Sequence, residues 1–254
     1  MKISVITPTS ERVHFLKGCY ELLKKQQELS WEWLIYDSSL RPVSFNDDRI
    51  CYFHDDTILS IGEKRNRLAE RATGDCIVHI DDDDYYAPNY LKLVTELLQK
   101  AAFSTLHSWF CYDTKNRQFY YQDTNYYHEM RYEVSPLSKG KIRELYFSPE
   151  QLLLNSSLNL YSKKGYGFSY AYHREVAQKC SFKDLDFAED RHFYESVEAA
   201  GFPIITHGGQ KGEVVHVIHE TNSSTEYPQY RIPNFLMEPL IASFFSYLKE
   251  TYEN

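Results

Sequence analysis

The first hundred residues alternate short, β-branched apolar runs with longer stretches of helical periodicity, and few folds tolerate that alternation. Residues 2–7 (KISVIT) form an apolar run closed by Pro8, which reads as a buried parallel strand. Across 13–27 the apolar positions Phe15, Leu16, Cys19, Leu22 and Leu23 fall at helical spacing. Residues 33–36 (WLIY) predict a second strand, ending at Asp37-Ser38-Ser39, and 49–54 a short third one. A charged helix is predicted over 62–72, then a Thr73-Gly74-Asp75 turn. Residues 76–80 (CIVHI) predict another buried strand, and 89–101 an amphipathic helix after Pro88. Strand, helix and strand in this order imply a doubly wound α/β sheet whose strands run parallel.

Beyond residue 105 the pattern loosens. Strands are expected over 106–112 and 117–122 around a polar turn at 113–116, with 126–134 continuing in the same style. Residues 150–154 and 158–161 admit either helix or strand. A turn feeding a strand is expected over 165–172, and a short helix over 173–180. Residues 190–200 predict a clearer helix stopped by Gly201, with strands at 202–206 and 214–218. The apolar stretch 235–248 reads as a helix docked on the domain. This second half is mixed α+β.

Composition excludes several classes of function. A net charge of −8 gives no global attraction for nucleic acid or an anionic membrane. The five cysteines are widely spaced and form no CxxC pair, which argues against a disulfide framework or a zinc site and for reduced thiols. No run of about 18 apolar residues occurs, and the N-terminus turns polar too early for a signal peptide, so a cytoplasmic location is expected, with peripheral membrane association left open. The 22 tyrosines serve either ring-face binding or core packing.

Four consecutive carboxylates, Asp81-Asp82-Asp83-Asp84, follow the apolar run 76–80 directly. Such a cluster repels itself unless a cation cancels its charge, and hard divalent ions such as Mg²⁺ and Mn²⁺ favour carboxylate oxygen. Open α/β sheets also place ligands at the carboxyl ends of their strands. The plainer alternative is an acidic loop capping the helix after Pro88.

The order strand, D-D-D-D-Y-Y-A-P, helix resembles the DxD region of the inverting family 2 glycosyltransferases, which have a GT-A fold. Further matches stand in the same order. Val5-Ile6-Thr7-Pro8-Thr9 resembles the opening strand and turn, and Ile35-Tyr36-Asp37-Ser38-Ser39 the second strand, with one Asp where the family has two. Gly62-Glu63-Lys64-Arg65-Asn66-Arg67 resembles the donor-side Arg-Asn helix, and 69–80 the lead into the DxD strand. The likeness covers about the first hundred residues.

It implies a GT-A α/β catalytic domain over 1–254, with a nucleotide-sugar donor-binding half (1–105), an acceptor and catalytic half (106–232) and a C-terminal helix (233–254). It also implies roles. Thr7, Pro8 and Thr9 would line the donor site, Asp37 would accept from the donor's base, and Arg65 would approach its phosphates or base. Asp83 falls on the principal metal-ligand position, while Asp81 and Asp82 would serve the ribose or the metal through water. Asp190, in Ala188-Glu189-Asp190-Arg191, matches the general base, with Glu189 as an orienting neighbour. Acidic residues also favour helix N-termini for the dipole alone. His219 matches a late metal-ligating His better than His216 does, and a purely structural His fits equally well. Trp109 and the tyrosines of 120–132 could stack on sugar rings or simply pack. Gly165-Tyr166-Gly167-Phe168 lacks the Lys-Ser/Thr of a P-loop and reads as a loop near the acceptor or donor sugar.

The implied reaction is metal-dependent transfer, with Mn²⁺ or Mg²⁺, from a nucleoside-diphosphate sugar (UDP by resemblance) to an acceptor hydroxyl on a glycan, lipid-linked sugar or protein. Two other classes compete. A nucleotidyltransferase would want a Gly-rich basic loop after the first strand, and residues 7–14 contain no Gly. A degenerate carbohydrate- or nucleotide-binding module would be expected to have lost carboxylates, and Asp81–Asp84 and Asp190 are all present.

Overall fold

The computed structural model describes all residues except 27–28, 127, 136–141, 149, 152–163, 223 and 254. Strand β1 (Lys2–Thr9) pairs in parallel with β2 (Ser30–Asp37) on one side and β4 (Cys76–His79) on the other, and β2 carries β3 (Ile50–His54) at the edge. These four strands are the predicted parallel sheet. The apolar runs of β1, β2 and β4 are near-continuous because helices cover both faces, while β3 is a half-exposed edge. Ile3, Val5, Trp33 and Val78 meet α1 (Val13–Lys24) and α3 (Tyr90–Leu98) on one face. Ile6, Leu34 and Ile77 meet α2 (Ile61–Arg71) on the other.

The second half is joined through β10 (Ala171–His173), three residues running antiparallel between β4 and the long β6 (Phe103–Asp113). Strand β6 also carries β7 (Gln118–Asp123) antiparallel, and β11 (Ile204–Gly208) and β12 (Val214–Ile218) in parallel. Two-residue β5 (Tyr85–Tyr86) pairs with β12, bringing the segment after the aspartates against residues 214–215. Helix α4 (Arg174–Lys179) follows β10, and α5 (Glu189–Ala199) packs Phe193 and Val197 into the core that α2 covers.

Several expectations change. The stretch 126–134 yields only β8 (Met130–Glu133), which leaves the main sheet and pairs with β9 (Arg143–Tyr146). Strand β13 (Tyr230–Ile232), paired with β7, was not foreseen. The single C-terminal helix is two, α6 (Asn234–Met237) and α7 (Ala242–Tyr252), divided near Pro239, as expected where a proline removes an N–H donor. Phe244, Tyr247 and Leu248 bury one face of α7 at helical spacing against β6, β7 and β12. The segment 152–163, with most of the undecided 150–154 and 158–161, lies outside the described residues. No helix among the described residues is long and apolar enough to cross a membrane.

Candidate active site

The carboxyl ends of β1 and β4 open into a cleft of about 650 Å³. One wall holds Pro8, Thr9, Arg12, Lys64, Arg65 and Asp81–Asp83, and the other Tyr166–Phe168 and Asp186–Arg191. Thr7 Oγ1 donates to the Ile80 carbonyl at 2.6 Å and Thr9 Oγ1 to Asp82 Oδ2 at 2.5 Å, tying the two strand ends together.

The four aspartates part company here. Asp84 is fully enclosed, accepting from Val217 N at 2.9 Å and pairing with His216 Nδ1 at 2.9 Å, so it braces β12. That contact holds His216 charged, its pKa raised to about 10 against the opposing effect of burial. His216 stacks on Phe168, with Nε2 3.7 Å from Glu226. Asp83 Oδ2 accepts from His219 Nε2 at 3.0 Å and Arg12 Nη1 at 2.7 Å. Although burial works against the charge, these two donors hold Asp83 ionised, at about 2. Burial, then the Asp83 charge, pushes Asp82 up, despite Arg12 Nη1 at 3.2 Å. Burial likewise raises Asp81, which meets Arg65 Nη2 at 3.3 Å.

Arg65 is itself buried and spans the cleft floor, reaching Glu189 with Nη1 at 2.5 Å. Burial lifts Glu189 to about 6 in spite of that cation. Asp190 follows at the start of α5, whose preceding residue, Ala188, takes a left-handed φ of 62°. Asp190 Oδ2 accepts from Gly167 N at 2.9 Å and Oδ1 from its neighbour Arg191 N at 2.6 Å. Two N–H bonds leave a carboxylate further acceptor capacity. The tight Tyr166–Phe168 turn is pinned from behind by His79 on Gly167 O and Tyr86 on Phe168 O, both at 2.9 Å.

The structure thus brings Thr9, Arg65, Asp81, Asp82, Asp83, Glu189, Asp190, His216 and His219 together. Pro8 lines the cleft as expected, and three expected residues stand elsewhere. Thr7 is fully buried, its hydroxyl donating to Ile80 O and accepting from Trp33 Nε1 at 2.9 Å, so it braces the strand ends from behind the cleft. Asp37 is wholly enclosed, accepting from Tyr52 Oη at 2.6 Å and from Ser39 N at 2.8 Å and the Ser39 hydroxyl. Its carboxylate closes the turn after β2 and presents nothing to a base. Trp109 is also enclosed, packed under Tyr166 at 4.2 Å between ring centroids, so the aromatic rings that line the cleft among the described residues are Tyr166, Phe168, Tyr227 and the exposed Phe187. Sequence reasoning missed Arg12 and Lys64. Lys64 Nζ donates to Thr9 O at 2.9 Å, and burial lowers its pKa. Both cations stand just after β1 or beside Arg65, in segments singled out for other residues.

A mixed sheet with an acidic cleft at its parallel strand ends has the architecture of the GT-A fold. The model of glycosyl transferase family 2 matches residues 4–163, and the chain belongs to that family. The WcaA glycosyl transferase assigned to colanic acid biosynthesis in Escherichia coli (strain K12) is 30% identical over 99 residues, which are 36% of each chain. Among solved structures, S. aureus TarS 1–349 in complex with UDP-GlcNAc superposes over 99% of this chain and 68% of its own, with TM-score 0.58 and 16% identity. The longer TarS structure superposes over 98% of this chain and 44% of its own, with TM-score 0.55 and 15% identity. The chain thus spans about a third of the curated relative and about half to two thirds of the TarS chains.

Proposed function

We propose that the chain transfers a glycosyl group from a nucleoside-diphosphate sugar to an acceptor hydroxyl with inversion. The observation that carries this is the pair of carboxylate groups facing one cleft, Asp81–Asp83 and Glu189–Asp190, with Arg65 between them. UDP is the proposed nucleotide, supported by the fold shared with the TarS structure solved with UDP-GlcNAc.

Asp190 is assigned as the base. Its carboxylate takes the acceptor's proton, the acceptor oxygen bonds to the anomeric carbon, and the nucleoside diphosphate departs with the electron pair of the broken bond. Arg65 neutralises Glu189 and Asp81, keeping two acids close in a site that must also accept an anion. The chemistry of the donor set fits a divalent cation. A carboxylate and an imidazole, Asp83 and His219, converge to 3.0 Å, and the same oxygen already attracts a cationic side chain. Asp83 and His219 would hold the ion, which when bound neutralises charge on the departing diphosphate. No group of three or more potential ligands is assembled among the described residues, so water and the donor would complete the shell.

Calorimetric titration with a panel of nucleoside diphosphates, with and without Mn²⁺, tests the donor site. Metal-dependent binding of one nucleotide is expected, lost in Asp83→Ala; absence of any nucleotide binding would refute the reading. Asp190→Asn is expected to keep that binding and lose roughly 10²–10⁴-fold in turnover. Full activity in this variant would remove Asp190 from the mechanism.

A further inference from the structure

Arg12 occupies an unusual place. It stands at the N-cap of α1, a position that favours Ser, Thr, Asp or Asn, and its side chain makes no capping bond. A cation there also faces the positive end of the helix dipole. The guanidinium instead turns to the aspartates, with Nη1 at 2.7 Å from Asp83 and 3.2 Å from Asp82, while Nη2 donates to Thr221 O at 2.7 Å. Thr221 lies two residues past His219, so Arg12 links both segments that carry the proposed metal ligands. The Arg12 side chain remains 26% exposed and lines the cleft, so it has room to leave.

We infer that Arg12 is a resident counter-cation that holds the aspartate cluster closed to a lone metal ion and yields its place when the metal arrives with the donor's diphosphate. This rests on the metal reading above. Arg12 Nη1 and His219 Nε2 meet at the same Asp83 oxygen, Oδ2, so a divalent ion on that oxygen competes with the guanidinium and repels its charge. A lone ion gives the displaced guanidinium no new anion to pair with. An ion carrying a diphosphate does, because the freed guanidinium faces an anion that it can bind through two parallel N–H donors. Arg12 thereby couples metal binding to nucleotide binding, and such coupling is reciprocal.

The experiment is Mn²⁺ binding to the metal-free protein without nucleotide, read from the electron paramagnetic resonance of free Mn²⁺, and then repeated with UDP. Arg12→Ala is expected to bind Mn²⁺ alone on the order of tenfold tighter than the native chain, and to lose most of the mutual enhancement between Mn²⁺ and UDP. Arg12→Lys, which keeps the charge without the fork, should fall between them. Unchanged or weaker Mn²⁺ binding in Arg12→Ala, with UDP-dependent Mn²⁺ binding intact in the native chain, overturns this inference alone. Failure of the native chain to bind Mn²⁺ with any nucleotide overturns the donor-site reading and this inference together.

Discussion

Gly167 shows how closely the cleft is fitted around single atoms. Its N–H holds Asp190, its carbonyl faces His79, and a Cβ there would lie 2.7 Å from Arg65 Nη1 and 3.0 Å from Asp190 Cβ. Burial, then the Arg65 charge, keeps His79 neutral, so Nδ1 carries the proton toward the Gly167 carbonyl and Nε2 accepts from Tyr172 Oη at 3.0 Å. Gly167→Ala should therefore push the base and its neighbouring cation apart. The expected result is a fall in kcat of about tenfold or more, in proportion to lost positioning, with a loss of about 1–3 kcal/mol in unfolding free energy from overpacking. Steady-state kinetics beside a urea melt would check it. At this scale the sequence was readable where charge crowds. Four adjacent carboxylates demand an explanation in any fold, so Asp81–Asp83 stand out in the sequence, and the structure sets them on the cleft. Asp37, expected to face a ligand, is enclosed by its own turn, and a carboxylate after a strand looks alike in sequence in either setting. Only the enclosing Tyr52, fifteen residues on, decides between them.

Strands β1 and β2 are locked at their outer end by one buried acid. Glu32 accepts from Lys2 Nζ at 2.8 Å, Ser4 Oγ at 2.6 Å and Thr73 N at 2.8 Å. Burial alone would raise this carboxyl, but the Lys2, Ser4 and Thr73 donors bring it down from 4.5 to about 2. The native state thus binds fewer protons than the unfolded chain between those values. The stabilisation is complete above pH 4.5 and is lost as pH falls through 4.5 toward 2. Urea unfolding at stepped pH should show this dependence, and Glu32→Gln should flatten it while lowering stability at neutral pH. Elements were legible where periodicity persists, as in β1, α1 and β4. They were not in β5 and β13, two or three residues long, which exist through their neighbours' hydrogen bonds and carry no local pattern.

Across the whole molecule, the two halves meet through β10 and the cleft lies where parallel pairing gives way to antiparallel. The alternation of the first hundred residues announced the parallel sheet because β1, β2 and β4 are buried on both faces. The second half builds its sheet from distant partners, β6 with β11 and β12, about a hundred residues apart, which sequence spacing does not reveal.

The bond from Arg12 to Thr221 spans 209 positions. On a ribosome adding about 5–20 residues per second, roughly 10–40 s separate the two partners' synthesis. During that interval the parallel strands and their helices have emerged, while Asp83 and Asp84 lack His219 and His216. Arg12, 71 positions upstream of Asp83, is already made, so the nascent chain carries a neutralising charge for that carboxylate until the segment with His216 and His219 arrives.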